Sequence, residues 1–504
     1  MYFQLIVYEL IAVSLGWNTY VAQPQSCVIY GLSPNSLRSK ACSDSPPSTY
    51  QTSRTFSQSV LLSNLLPATH YYYKIISTNS SIESFFSPRP AGDQTPFSFD
   101  VVVDLGVYGE NGFTVSNSGV QPYEENSPLK RDSEEPLRVD PELNHTTIQR
   151  LAINFNSSQF CIHPGDFGYA DGWPLKSHGV KNYDGIDAYQ VILEQFYDQL
   201  APIASRKPYM VGPGNHEAKC ALEGKEAKTC PIGQNNFTDF LHRFDRTMPA
   251  AFPSASKNHT ARQSAAVARR LANPPFWYSF EYGMAHIVML DTETDIVGAP
   301  DVTNVIHGFG RKEQQRAFLE ADLASVDRTV TPWLLTAGHR PWYGAGGNLC
   351  SQCRDYFEDI FYGYGVDMAI FGHVHNTQRF YPVYRGVSDK KRNKDPVAPA
   401  YIISGGAGNI EGIHPIGPKP PYTAFTYDDD FAYTTIHIVD RNHMIVDFIR
   451  SATGEVIDTS TLYKSHKTPF VSQHASEAWS YHPDTRLALG GFVCLMMMLC
   501  AFCF

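Results

Sequence analysis

Five short segments of the chain end in residues able to hold metal ions. They are VVVDLG with Asp104, HPGDFGYAD with Asp166 and Tyr169, GPGNHE with Asn215 and His216, TAGHRPWY with His339, and FGHVHNTQR with His373 and His375. Each alone has an ordinary explanation. An aspartate after a strand commonly caps or turns the chain, and a single histidine is more often a satisfied polar group than a ligand. Together they read differently, because Asp, Asp, Asn, His and a His-x-His pair at five strand ends exceed what turn chemistry requires. Oxygen donors mixed with imidazoles suit iron, zinc or manganese rather than soft-metal sites. His373 and His375 are two apart, so on extended backbone they can point to opposite ions. One carboxylate can bridge both, and two ions about 3.5–4 Å apart activate a hydroxide and clamp a phosphoryl oxygen. The pattern predicts a two-metal hydrolase.

Such a set needs a scaffold that gathers strand ends. From residue 98 apolar runs (FSFDVVVDLG, QFCIHPGD, PYMVGPGN, AHIVMLDTE, PWLLTAGH, VDMAIFGH) each end in a polar or glycine turn. Amphipathic stretches at 186–205 and 311–327 lie between them, which predicts an α/β layered domain. Ligand sites in such sheets lie beyond the carboxyl ends of the strands, where these polar residues cluster. The acidic, polar segment 109–150 interrupts the pattern and reads as a surface loop before a helix. Residues 17–97 differ: SCVIYGL, SQSVLLSNL and HYYYKIIS alternate at period two between turns, predicting a small β-sandwich. LLPATHYYYKI resembles the tyrosine corner of fibronectin type III domains, and PRPAGDQTP (88–96) serves as the linker. The expected division is 1–97 for the sandwich, 98–465 for the metal domain, and 466–504 for a spacer and apolar tail.

Composition narrows the class. With 40 Lys+Arg against 50 Asp+Glu the formal charge is −10, the wrong sign for a nucleic-acid footprint. Among ten cysteines, Cys27/Cys42 and Cys220/Cys230 are locally spaced and Cys350/Cys353 form a CxxC. Three disulfides are expected, a local bridge being preferred over a redox or zinc site at the CxxC because no second CxxC exists. Cys161 is left over and reads as a small buried hydrophobe. Sequons at Asn79, Asn144, Asn156, Asn236 and Asn258, with paired cysteines, predict a glycoprotein of the secretory route, extracellular or at the cell surface. Residues 487–504 carry no charge. With small residues near Ser476 to Ala478 and a polar spacer before it, this tail is expected to be a GPI signal ahead of a membrane span. The first 16 residues lack a basic region and a clear cleavage site; they read as a first β-strand of a chain whose true start lies upstream.

The set DLG…GDxxYxD…GNHE…GHRPWY…GHVH resembles the purple acid phosphatases of the larger two-domain plant and fungal kind. The resemblance runs from about residue 17 to 465 and includes WYSFEYGMAHIVMLDTE, YIISGGAGNIEG and FAYTTIHIVD. Other calcineurin-like metallophosphoesterases share GD, GNH and GHxH but lack the tyrosine three after the aspartate, so Tyr169 discriminates. The resemblance implies a four-layer α/β/β/α metallophosphoesterase domain after a fibronectin type III-like sandwich. It implies Fe(III) held by Asp104, bridging Asp166, Tyr169 and His375, with a second ion (Zn, Fe or Mn) held by Asp166, Asn215, His339 and His373. Activated hydroxide would then attack phosphate monoesters in acid. A phenol of pKa about 10 ionises only beside a strong Lewis acid, so Tyr169 selects a trivalent ion and a charge-transfer colour. The catalytic role falls to His216, binding phosphate or protonating the leaving group.

Three departures from the plant pattern stand out. Val103 replaces the glycine before the first aspartate, Thr377 replaces an aromatic, and GAGGNLCSQC carries no further histidine after GHRPWY. No second acid histidine is evident, and His307 is a candidate by position alone. The alternatives are a phosphodiesterase using the same site, or a non-catalytic cell-surface glycoprotein; the complete ligand set argues against the latter.

Overall fold

The period-two alternation of the N-terminal residues becomes two small antiparallel sheets. One contains Phe3–Tyr8, Ala12–Thr19 and Phe56–Leu62; the other runs Ser39–Cys42, Cys27–Gly31, His70–Ile75, Glu83–Phe86. The computed structural model describes residues 3–8, 11–78, 80–108, 146–171, 185–218, 230–249, 254–294, 296, 309–409 and 411–466. A single first strand is expected over residues 1–16; two are found, turned by Ile11 at φ +49°. Along His70–Ile75 every second residue (Tyr71, Tyr73, Ile75) is buried, packing with Trp17, Val60 and Phe85 between the sheets. The Tyr71 hydroxyl accepts the Leu66 N–H at 2.9 Å, forming the expected tyrosine corner. Cys27 and Cys42 face each other in register and are disulfide-bonded. Tyrosine hydroxyls fasten this sandwich to the metal domain: Tyr73 donates to the Ser205 carbonyl at 2.7 Å and Tyr50 to Asp239 at 2.8 Å.

The remainder is built on two larger sheets. The first has the order Tyr209–Gly212, Phe160–Pro164, Phe97–Val101, Ala432–Ile438, His443–Arg450, Val456–Tyr463. The second has the order Tyr278–Tyr282, Ala285–Met289, Trp333–Ala337, Met368–Phe371, Ala400–Ser404, Thr377–Phe380, Thr423–Tyr427. Their central strands are parallel and read as near-continuous apolar runs because both faces are covered. The sheets face each other: Tyr278 donates its hydroxyl to the Val211 carbonyl at 2.7 Å, and the Phe160 and Phe280 rings meet edge to face. Helices cover the outer faces. Ser351–Tyr364 buries Cys353, Phe357, Ile360, Phe361 and Tyr364, one stripe at helical spacing, and ends at Gly365 with φ +69°. The stripe packs on Trp342. Gly185–Ala204 and Gln314–Leu323 match the two amphipathic segments, and Asp322 ties the latter to the sheet through His286 at 2.8 Å. The result is the expected α/β/β/α layering.

Cys350 and Cys353 form the local disulfide and Cys161 is a buried free thiol. Cys230 is disulfide-bonded, but its expected partner Cys220 lies outside the described residues. So do residues 109–145, His307, Asn79, Asn144 and the tail from 467 onward. Among the described residues no helix is long and apolar enough to cross a membrane.

Candidate metal centre

Five strands deliver the predicted residues to one place. Phe97–Val101 leads to Asp104, Phe160–Pro164 to Asp166 and Tyr169, Tyr209–Gly212 to Asn215 and His216, Trp333–Ala337 to His339, and Met368–Phe371 to His373 and His375. Parallel strands in two facing sheets put all these carboxyl ends on one edge. Four of the residues sit in left-handed backbone: Asp104 (φ +60°), Asp166 (+56°), Tyr169 (+51°) and His373 (+64°). Such conformations are costly for non-glycine residues and persist where the surroundings fix them. Two motif glycines have a steric cause here. A side chain at Gly214 would collide with the Asp166 carboxylate, and one at Gly372 with Asp104 and Val103. Val103, one departure from the plant pattern, is buried against Gly372.

The side chains form two linked groups. In the first, the Tyr169 hydroxyl lies 2.9 Å from Asp104 Oδ1, 2.9 Å from His375 Nε2 and 3.4 Å from Asp166 Oδ2. In the second, His339 Nε2 lies 2.9 Å from Asp166 Oδ2 and 3.1 Å from Asn215 Oδ1. Asp166, His339 and His373 each offer a ligand atom within 4.8 Å of the others. Asp166 is common to both groups. Every predicted metal-site residue is therefore brought together, and His216 lies beside them, its Nε2 3.8 Å from Asp166.

The electrostatics ask for cations. Burial, then Asp104, Asp166 and Glu411, hold the Tyr169 phenol well above its ordinary pKa; only a close positive charge would reverse that. Burial works against ionising Asp166 as well, yet His339 and His216 outweigh it and hold the carboxyl well below its usual range. His339 is pushed up to about 9 because Asp166 overcomes its burial. His375 Nδ1 is buried without a hydrogen-bond partner while Nε2 faces the tyrosine and aspartate. The donor set, two carboxylates, a phenol, an amide and three imidazoles, fits a pair of ions.

Further polar neighbours of the site lie within the recognised motifs and beyond them. Asp171, last of GDFGYAD, grips His216 Nδ1 at 2.8 and 2.7 Å. Glu411 lies 3.6 Å from His216 Nε2 and 3.8 Å from His375 Nδ1. His414 stacks on His375, ring centres 4.1 Å apart, and accepts the His375 backbone N–H. It is an imidazole at the site where none was readable after GHRPWY, and it lies in a segment whose spacing carries no signal. Glu217, last of GNHE, accepts the N–H groups of Asp166, Phe167 and Gly214 at 2.9, 3.0 and 3.0 Å. Glu217→Ala strands three buried donors at about 1–3 kcal/mol each. It is expected to destabilise the protein by at least about 3 kcal/mol and to loosen both Asp166 and Asn215. Denaturant unfolding with metal analysis checks this; an unchanged midpoint with full metal content would refute it.

Three family models match the chain in succession: "Purple acid Phosphatase, N-terminal domain" over residues 11–89, "Calcineurin-like phosphoesterase" over 144–377, and "Iron/zinc purple acid phosphatase-like protein C" over 398–459. Acid phosphatase A of Cryphonectria parasitica is 52% identical over 477 residues, covering 92% of this chain and 91% of that protein. A purple acid phosphatase of Glycine max is 26% identical, covering 90% and 82%. A solved purple acid phosphatase from yellow lupin seeds shares the fold at TM-score 0.65 and 21% identity, covering 92% of this chain and 74% of that one. With a relative this similar along nearly its whole length, the chain belongs to the purple acid phosphatase family of the calcineurin-like phosphoesterases.

Proposed function

We propose that this chain hydrolyses phosphate monoesters in acid at a dinuclear metal centre. The observation that carries this is the buried Tyr169 hydroxyl set between Asp104, Asp166 and His375. Asp104, Asp166, Tyr169 and His375 would hold Fe(III); Asp166, Asn215, His339 and His373 would hold Zn, Fe or Mn. When bound, such a pair supplies a nucleophilic oxygen at low pH and a positive clamp for the phosphoryl group. The chain's own residues do the rest. Asp166 keeps the two ligand groups in one frame. His216, gripped by Asp171 at one ring edge, presents its other nitrogen to the site and can donate a proton to the leaving oxygen. Glu411 stands at the same mouth, partly exposed.

Iron is tested by colour. The wild-type protein is expected to absorb visible light through Tyr169, and Tyr169→Phe to lose that band with the fold intact. Absorption spectroscopy with metal analysis decides it; a colourless, iron-free and fully active enzyme would sink this metal assignment. The division at 97/98 and the sandwich as a separate module belong to the same reading. Two disulfides and the exposed Asn156, Asn236 and Asn258 support passage through the secretory route with glycosylation. Anchoring, by GPI or a span, is assigned to the apolar tail.

A further inference from the structure

Arg340 follows His339 and is almost fully buried, at 2% exposure. Its backbone N–H donates to Thr292 Oγ1 at 2.9 Å, and its Nε donates to both oxygens of the buried Glu293 at 3.0 and 2.8 Å. Its Nη1 lies 2.9 Å from Nε2 of His373. A guanidinium only donates, so Nε2 must be the acceptor. That contact works against His373 serving as a metal ligand through either nitrogen. An ion bound at Nε2 uses the same lone pair. An ion bound at Nδ1 leaves the ring proton on Nε2, where it would point at another donor. Metal-bound histidines ordinarily give their second N–H to a carboxylate or carbonyl; here Nε2 meets an arginine that Glu293 holds.

We propose that Arg340, fixed by Glu293, competes with the second metal ion for His373 and so sets how firmly that ion is held. The inference rests on the assignment of His373 to the second ion. Arg340 is then a positioning residue with a defined sign: it opposes the ion. A fixed fork makes the competition stronger than a mobile lysine could, because Glu293 holds Nε while Nη1 reaches the ring.

The test uses the iron-containing full chain and Zn(II) as the probe. The zinc dissociation constant of the second site is measured by equilibrium dialysis against a competing chelator, with the visible band reporting that the first site is intact. Arg340→Met with Glu293→Gln removes the contact together with the carboxylate that fixes it. Arg340→Lys keeps the charge and loses the fork, and serves if the double variant does not fold. Both are expected to bind zinc about tenfold more tightly, the worth of a hydrogen bond to a charged group. Unchanged or weaker zinc binding in a folded variant overturns the proposal. So does a lysine variant that behaves as wild type while the double variant tightens, since that would assign the effect to distant charge. His373→Ala separates the two layers. It should lose the second zinc. If it keeps zinc at wild-type strength, the His373 assignment falls and the competition with it; if it loses zinc while the arginine variants do not tighten, the competition alone falls.

Discussion

Asp166→Asn is expected to strip both metal ions and to lower phosphatase activity by at least about 10³-fold, with the fold retained. The argument starts from the position. Asp166 is wholly buried in left-handed backbone, a conformation asparagine tolerates, so the substitution adds no backbone strain. Oδ1 accepts the His216 N–H at 2.9 Å, and Oδ2 faces His339 at 2.9 Å and Tyr169 at 3.4 Å. An amide oxygen can keep the first of these bonds. What it cannot keep is the charge. A unit charge about 4 Å from a cation is worth about 4 kcal/mol per unit of cation charge at an effective dielectric near 20, a factor of about 10³, and Asp166 faces both ligand groups. Asp104→Asn supplies the contrast. Asp104 contacts Tyr169 and His375, so its loss should remove the visible band while zinc content falls much less. Metal analysis and kcat on p-nitrophenyl phosphate distinguish the cases. Full metal content and activity in Asp166→Asn would refute the bridging role.

That contrast depends on the proposed assignment of residues to the two ions, and the sequence carried part of it. Asp104, Asp166, Tyr169, Asn215, His339, His373 and His375 were legible because each lies within five residues of the end of an apolar strand. A run of buried strand residues followed by a glycine turn is a signal that survives without coordinates. The layered fold was legible for the same reason: parallel strands covered on both faces must be apolar throughout. The partners that tune the ligands were harder. Asp171 and Glu217 stood inside recognised motifs, but an acidic residue one or two places past a ligand reads equally well as a helix-start or solvent-facing residue. Glu217 turned out to brace three backbone N–H groups. Glu411 and His414 come from the loop after Ala400–Ser404, about 40 residues beyond the last metal motif, and only the pairing of that strand with Met368–Phe371 brings them to the centre. Glu293 and Arg340 meet because Ala285–Met289 and Trp333–Ala337 are adjacent parallel strands. Such neighbours are fixed by strand order, which no local spacing encodes.

Asp171→Asn is expected to shift the alkaline limb of the pH–rate profile to lower pH, and His216→Gln to abolish that limb while lowering kcat about 10²–10⁴-fold. Burial alone would strip the proton from His216, but Asp171, then Asp166 and Glu411, outweigh it and raise the imidazole well above its ordinary pKa. The sign is set by that direction. A raised histidine contributes stability below its unfolded pKa of about 6.5, and that contribution is lost as pH rises through the folded value. The charged form is therefore the resident one in acid, the form able to donate a proton. Cations at the centre act in the opposite sense through the Nε2 edge, which leaves Asp171, 2.7 Å from Nδ1, as the group that keeps the proton in place. Removing its charge should lower the pKa of His216 and with it the pH at which activity falls. The effect should also depend on the leaving group. An alkyl phosphate releases a basic alkoxide and needs the proton, whereas p-nitrophenolate leaves readily without it. His216→Gln should then lose at least tenfold more activity on the alkyl ester than on the aryl ester, a ratio near Brønsted expectation for proton transfer. Equal losses on both esters, with an unmoved pH profile in Asp171→Asn, would show that His216 binds phosphate and does not donate the proton.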